Sequence, residues 1–189
     1  MSTSDDLTGV EANPWITHER QVTYANDWIE VSESQVTTPT GTPGIYGVVH
    51  YKNRAVGVVP IDQENHTWLV GQYRYPTDTY EWEIPEGGAP FEESLEDCAH
   101  RELAEETGLR AAKLELLIGD LQLSNSVSDE RAYLYVAREL SAGPPAPEET
   151  EKIQVRRLPL GEAIEMIDRG EIRDAMSVIA LQCLAAQPQ

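Results

Sequence analysis

Apolar and polar residues alternate along much of the first half of this 189-residue chain. Within residues 21–36, Val22 and Tyr24, then Trp28, Ile29 and Val31, predict two strands or one bent strand. Residues 37–44, Thr-Thr-Pro-Thr-Gly-Thr-Pro-Gly, have the composition of a turn-rich connector. Further strands are predicted at 45–51, 55–61 and 67–73, with Gln63-Glu64-Asn65 as a hairpin turn joining the last two. Residues 75–80 read as a loop, and 80–84 as a short strand running into Pro85-Glu86-Gly87-Gly88. The period then changes to that of a helix over 94–108: Ser94 and Asp97 have the spacing of a capping box, and Gly108 suits a left-handed stop. Strands are expected at 113–119, 132–138 and 153–157, with a polar loop at 124–131 and a Gly/Pro-rich break at 142–147. Helical spacing returns at 161–169 and at 174–185, where Met176, Ile179, Ala180 and Cys183 share a face. Strands come first and helices last, so a mixed sheet flanked by helices is the expected architecture.

The helix over 94–108 breaks the usual rule for an amphipathic helix. At about 100° per residue, Leu95, Cys98 and Ala99 cluster on one side. Glu102 and Glu106 fall in the same sector and Glu105 at its edge, where an ordinary surface helix would carry Leu or Val. Two unpaired carboxylates turned toward a core would repel each other and lose solvation. A hard divalent cation removes that penalty, and oxygen ligands are what Mg²⁺ or Mn²⁺ prefers. A solvated acidic helix paired with Arg101 is the alternative, but it does not call for acids in this order beside a glycine turn.

Composition bounds the rest. With 40% hydrophobic residues the chain can bury a core, most simply as one domain with a small N-terminal extension. No apolar run is long enough to span a membrane, and the polar, acidic residues 1–11 predict no targeting leader. Two cysteines, Cys98 and Cys183, are too few for a disulfide framework and fit a reducing cytoplasm. The net charge of −19 argues against nucleic acid as a partner. It would also repel an anionic substrate unless metal and a few arginines reverse the field locally.

Gly87, Glu93, Arg101, Glu102, Leu103, Glu105, Glu106, Gly108 and Leu109 resemble a complete Nudix box, G-x5-E-x7-R-E-U-x-E-E-x-G-U, where U is bulky and apolar. The resemblance implies a Nudix α/β/α sandwich with a mixed central sheet and an N-terminal β extension. It also implies hydrolysis of a nucleoside diphosphate linked to another group. Carried over by position, Glu102 and Glu106 are the main metal ligands, Glu105 a further or water-bridged ligand, and the carbonyl of Glu86 a backbone ligand. Glu93 pairs with Arg101 and holds the loop against the helix.

The flanks narrow the branch. Gly71-Gln72-Tyr73-Arg74-Tyr75-Pro76 and Trp82-Glu83-Ile84-Pro85-Glu86-Gly87-Gly88 resemble the ADP-ribose pyrophosphatase and nucleoside-diphosphate-sugar hydrolase branch, as does the stretch from Asp168 to Leu181. That resemblance makes Arg74 a phosphate clamp and Glu83 an acceptor for base or ribose, with pairing to a nearby acid as the alternative for Arg74. It implies a homodimer built by N-terminal strands and a base-stacking aromatic, for which Tyr24, Trp28 and Tyr46 are candidates. A catalytic glutamate is expected in the acidic loop at 148–151, with Glu149 ahead of Glu151 as base for the attacking water. Asn125 stands where ADP-ribose-selective members carry proline, which favours a broader nucleotide-sugar preference. The expected organisation is a tail over 1–13, an N-terminal β region over 14–45 and a hydrolase domain over 46–189. The expected activity is Mg²⁺-dependent cleavage of nucleoside diphosphate sugars. Dinucleoside polyphosphate or NADH hydrolysis, oxidised nucleoside triphosphates and a non-catalytic ADP-ribose sensor are the alternatives.

Overall fold

The computed structural model describes residues 12–143 and 152–187. The chain divides into two compact units, the first ending at Tyr51 and the second running from Lys52. The first unit is an antiparallel meander of β1 (Ile16–Ala25), β2 (Ile29–Thr37) and β3 (Pro43–Tyr51). The apolar pattern over 21–36 left two strands or one bent strand open, and the side chain of Asn26 decides for two. Its Oδ1 accepts from the backbone N–H of Trp28 at 2.9 Å and of Ile29 at 2.8 Å, an Asx-type turn that ends one strand and starts the next.

The second unit contains β4 (Asn53–Pro60), β5 (His66–Arg74), β6 (Thr79–Glu83), β7 (Glu86–Pro90), α1 (Leu95–Thr107), β8 (Leu109–Gln122), β9 (Arg131–Ala142), β10 (Gln154–Pro159), α2 (Leu160–Asp168) and α3 (Ala175–Ala185). A four-stranded sheet has the order β7-β4-β9-β8, with β4 and β9 parallel and the other pairs antiparallel. A second sheet has the order β10-β5-β6. The mixed sheet is apolar on both faces. Val56, Val58, Tyr135 and Ala137 pack with Cys98, Ala99 and Leu103 of α1. Val59, Ala132, Leu134 and Val136 pack with Met166 of α2 and Met176, Ala180 and Leu181 of α3. A sheet covered on both faces is the sandwich the strand and helix pattern called for.

Two expectations need correction. The 63–65 turn exists, with Asn65 at φ 58° and Asp62 Oδ1 accepting from the N–H groups of Glu64 and His66, but it does not close a hairpin. Both edges of β4 are taken by β7 and β9, so β5 pairs with β10 and β6 in the other sheet. Of Pro85-Glu86-Gly87-Gly88, read as a glycine turn ahead of the helix, Glu86, Gly87 and Gly88 form the start of β7, with Gly87 opposite Val56 and Gly88 opposite Ala55. Tertiary pairing overrides the local turn signal there.

The ends of α1 follow the sequence. Ser94 Oγ accepts from Asp97 N–H at 3.0 Å, and Gly108 closes the helix at φ 72° with its N–H on the carbonyl of Ala104. The left-handed stop sends the chain directly into β8, so the carboxylate face of α1 is fixed at both ends.

Candidate active site

The site is built where β7 passes α1. Glu102 is 9% exposed and Glu106 3% exposed, so the helix does turn two carboxylates inward. Gly87 makes room for the first: an ideal Cβ on Gly87 would overlap Oε1 and Cδ of Glu102. The requirement is for close approach rather than for unusual backbone angles. Glu106 is tied to the same strand, its Oε2 accepting from the backbone N–H of Glu86 at 3.0 Å. Strand β7 and the helix are therefore one unit held by carboxylates.

Arg101 organises the remaining box acids. Its Nε and Nη2 donate to the two oxygens of Glu93, both at 2.9 Å, a bidentate pair that anchors the loop before α1. Nη1 donates to Glu102 at 2.7 Å and to Glu105 at 3.0 Å, and Nη2 also reaches the carbonyl of Gly88 at 3.1 Å. The bond from Arg101 holds the Glu93 carboxyl below its ordinary value, and Glu93 in turn raises Arg101. Burial, followed by the charge of Glu102, pushes the Cys98 thiol up to about 12.

A second charged cluster lies at the end of β5 and β6. Arg74 Nε donates to both oxygens of Glu83 at 3.0 Å, and its Nη2 donates to Glu83 at 2.5 Å and to Glu86 at 3.1 Å. Burial alone would lower the Arg74 pKa, but Glu83 outweighs it and the guanidinium is held charged. Burial, then Asp174 and Glu83, raise the Glu86 carboxyl well above its ordinary value, against the pull of Arg74. Asp174 N-caps α3 through Ser177 N–H at 2.7 Å, and Arg173 beside it pairs with Glu81.

The structure thus brings Glu86, Glu93, Arg101, Glu102, Glu105 and Glu106 together, and joins Arg74 to Glu83. Tyr24 and Trp28 are exposed in the N-terminal unit, where Tyr46 packs edge-on against Trp15 with ring centroids 5.2 Å apart. Glu149 and Glu151 lie outside the described residues. The side chain of Glu86 was missed from sequence, which pointed only to its carbonyl, and so was Asp174. A carboxylate inside a glycine turn reads as a solvated loop residue until the strand pairing is known.

Among the described residues, the trio whose ligand atoms lie within 4.8 Å of one another is Asp62, Glu64 and His66, not the box acids. Asp62 already accepts from two backbone N–H groups and from Arg157, which also pairs with Glu64, so that trio is a braced turn. Arg101 already donates to three of the box acids, Glu93, Glu102 and Glu105. Their donor set nevertheless fits a hard divalent cation. It is all oxygen, and a glycine cradles Glu102.

A NUDIX domain model matches residues 51–178. This chain is a member of the Nudix family. A second model, the nucleoside diphosphate sugar hydrolase N-terminal domain, matches residues 15–49. The Nudix chain is 35% identical over 161 residues to a methanol dehydrogenase activator from Bacillus methanolicus, covering 84% of this chain and 86% of that one. It is 30% identical over 163 residues to an ADP-ribose pyrophosphatase from Bacillus subtilis, covering 85% and 87%. The crystal structure of an ADP compounds hydrolase superposes with a TM-score of 0.82 at 23% identity, covering 93% of this chain and 94% of that one, a likeness of fold. The chain is a Nudix hydrolase, and residues 87–109 are its Nudix box.

Proposed function

We propose that this Nudix hydrolase cleaves the diphosphate bond of nucleoside diphosphate sugars such as ADP-ribose, with Mg²⁺ (or Mn²⁺), giving a nucleoside monophosphate and a sugar phosphate. The observation that carries the reading is the pair of inward carboxylates, Glu102 seated over Gly87 and Glu106 bonded to Glu86. The similarity to an ADP-ribose pyrophosphatase and the sugar-hydrolase N-terminal match support the substrate class.

In this reading Glu102, Glu106 and the carbonyl of Glu86 hold the cation, with Glu105 beside them. Bound there, the cation supplies charge neutralisation on the diphosphate oxygens and acidifies water. Arg101 keeps Glu102 and Glu105 oriented while Glu93 keeps Arg101 in place. Arg74 faces the diphosphate, Glu83 orients Arg74 and receives the nucleoside, and Tyr24, Trp28 or Tyr46 stacks on the base. Glu149, or Glu151, takes the proton of the attacking water as its oxygen bonds phosphorus and the bridging P–O bond breaks. A panel of ADP-ribose, GDP-mannose, ADP-glucose, UDP-glucose, diadenosine polyphosphates and NADH, with Mg²⁺ and Mn²⁺, tests the assignment. The expected result is greatest turnover on more than one nucleotide sugar, because Asn125 favours breadth; turnover confined to dinucleoside polyphosphates or NADH would reject it. Tight ADP-ribose binding without product release would favour a second reading, a regulator of another protein, which the similarity to a methanol dehydrogenase activator raises.

The N-terminal residues 14–45 serve as a dimerisation region in this proposal, and the hydrolase domain follows from 46. β1 is exposed along its whole length, and Ile16, Val22, Tyr24, Trp28 and Ile45 are each more than half exposed, more apolar surface than a small meander leaves open without use. Light scattering is expected to give twice the 21.1 kDa chain mass, and a Val22→Asp/Ile45→Asp variant to give the monomer. A monomeric parent protein would refute the dimer. Among the described residues no helix is long and apolar enough to cross a membrane, and a cytoplasmic setting with no nucleic-acid partner is part of the same proposal.

A further inference from the structure

Glu86 has no assigned side-chain role, yet its surroundings are unusual. In β7 its neighbour Gly87 lies against α1, while the Glu86 side chain, one step along the pleat, reaches Arg74. The residue is bonded at two ends: its N–H donates to Glu106 on α1 at 3.0 Å, and its Oε1 accepts from Nη2 of Arg74 on β5 at 3.1 Å. The other oxygen, Oε2, is buried and has no partner. The carboxylate stands among Glu83, Glu106 and Asp174, with Arg74 as the compensating cation. Burying an acid next to other acids is costly unless its pairing is good. An apolar side chain at this position would avoid that cost but would leave Nη2 of Arg74 without this partner.

Arg74 needs such a partner. Glu83 holds the guanidinium from one side only, through Nε and Nη2. A group pivoting about that pair would sweep its free edge away from the box. The bond from Nη2 to Glu86 removes the pivot, and because the backbone of Glu86 is bonded to Glu106, it places the arginine relative to the carboxylate helix. We propose that Glu86 is a positioning residue that indexes Arg74, the diphosphate-facing arginine of the function proposed above, to Glu106 on α1. A misplacement of 1 Å at such a group can cost a hundredfold, so even a modest drift is measurable.

The test uses the full-length protein with Glu86→Ala, Glu86→Gln and Glu86→Asp. Gln keeps an acceptor at the same reach, whereas Asp keeps the charge but withdraws the oxygen by one methylene. The first readout needs no substrate: hydrogen exchange at the Arg74 Nε–H, its resonance assigned by loss in Arg74→Lys. Exchange is expected to be about tenfold faster in the Ala and Asp variants and unchanged in the Gln variant. With ADP-ribose and Mg²⁺, KM is expected to rise about tenfold in Ala and Asp with kcat within about threefold, and to rise less in Gln than in either. Unchanged exchange in both Ala and Asp overturns the proposal. So does a Gln variant as impaired as Ala, which would mean charge matters and position does not, or a fall in kcat at constant KM. If Ala does not fold, Asp carries the same comparison against Gln. Failure of the parent to cleave nucleotide sugars would reject the function above but leave the exchange result to decide the role of Glu86.

Discussion

Replacing Glu106 by glutamine is expected to lower kcat on the best nucleotide sugar by about 100- to 1000-fold while leaving the thermal midpoint within a few degrees of the parent. The two halves of that expectation come from different atoms of one side chain. The amide oxygen of glutamine can still accept from the backbone N–H of Glu86, the bond that now measures 3.0 Å, so β7 stays on α1. The lost charge is another matter. Glu106 is 3% exposed, and a buried carboxylate facing a hard cation supplies several kcal/mol that a neutral amide does not. Each 1.36 kcal/mol is tenfold in rate, so a loss of about 3–4 kcal/mol gives the stated range. Steady-state kinetics, a thermal melt and Mn²⁺ titration of the same preparation check it. Turnover within a few-fold of the parent, with Mn²⁺ affinity intact, would remove Glu106 from the cation site.

How far the chain could be read depended on whether the cause was local. The ends of α1 rest on Ser94 and Gly108, which act on backbone groups a few residues away, and they were legible to the residue. So was the inward sector of Glu102 and Glu106, because helical period alone sets it. The bidentate Arg101–Glu93 pair was legible from the family pattern rather than from spacing. What escaped depended on distant strands. The Asp62 turn has ordinary hairpin chemistry, yet β4 was claimed on both edges by partners that lie later in the chain. Glu86 looked like a loop acid because its burial depends on β4, β5 and α3 meeting around it. Arg74 is the intermediate case. Its position at a strand end and a pairing to some nearby acid were visible, but that the acids are Glu83 and Glu86 is set by tertiary contacts across nine and twelve residues of sequence.

Gly87→Ala is expected to be more damaging to catalysis than its size suggests, and less damaging to stability. The backbone of Gly87 is not left-handed, so alanine brings no φ penalty there. The new methyl would instead overlap the Glu102 carboxylate. That carboxylate is the far end of a flexible side chain, and it can swing clear at the cost of a rotamer change, about 1 kcal/mol. The fold therefore survives. The site does not, because the same movement takes Glu102 off the position that Arg101 Nη1 fixes at 2.7 Å, and the proposed cation site would lose one of its two principal acids. A fall in kcat/KM of about 100-fold or more, with Mn²⁺ affinity reduced in parallel and the melting transition still cooperative, is the expected result. The converse double variant separates crowding from any general effect of the strand. In Gly87→Ala/Glu102→Asp the shorter acid makes room for the methyl, so part of the Mn²⁺ affinity lost in Gly87→Ala should return. If Gly87→Ala instead unfolds the protein while the double variant is equally unstable, the glycine serves the packing of β7 and not the seating of Glu102.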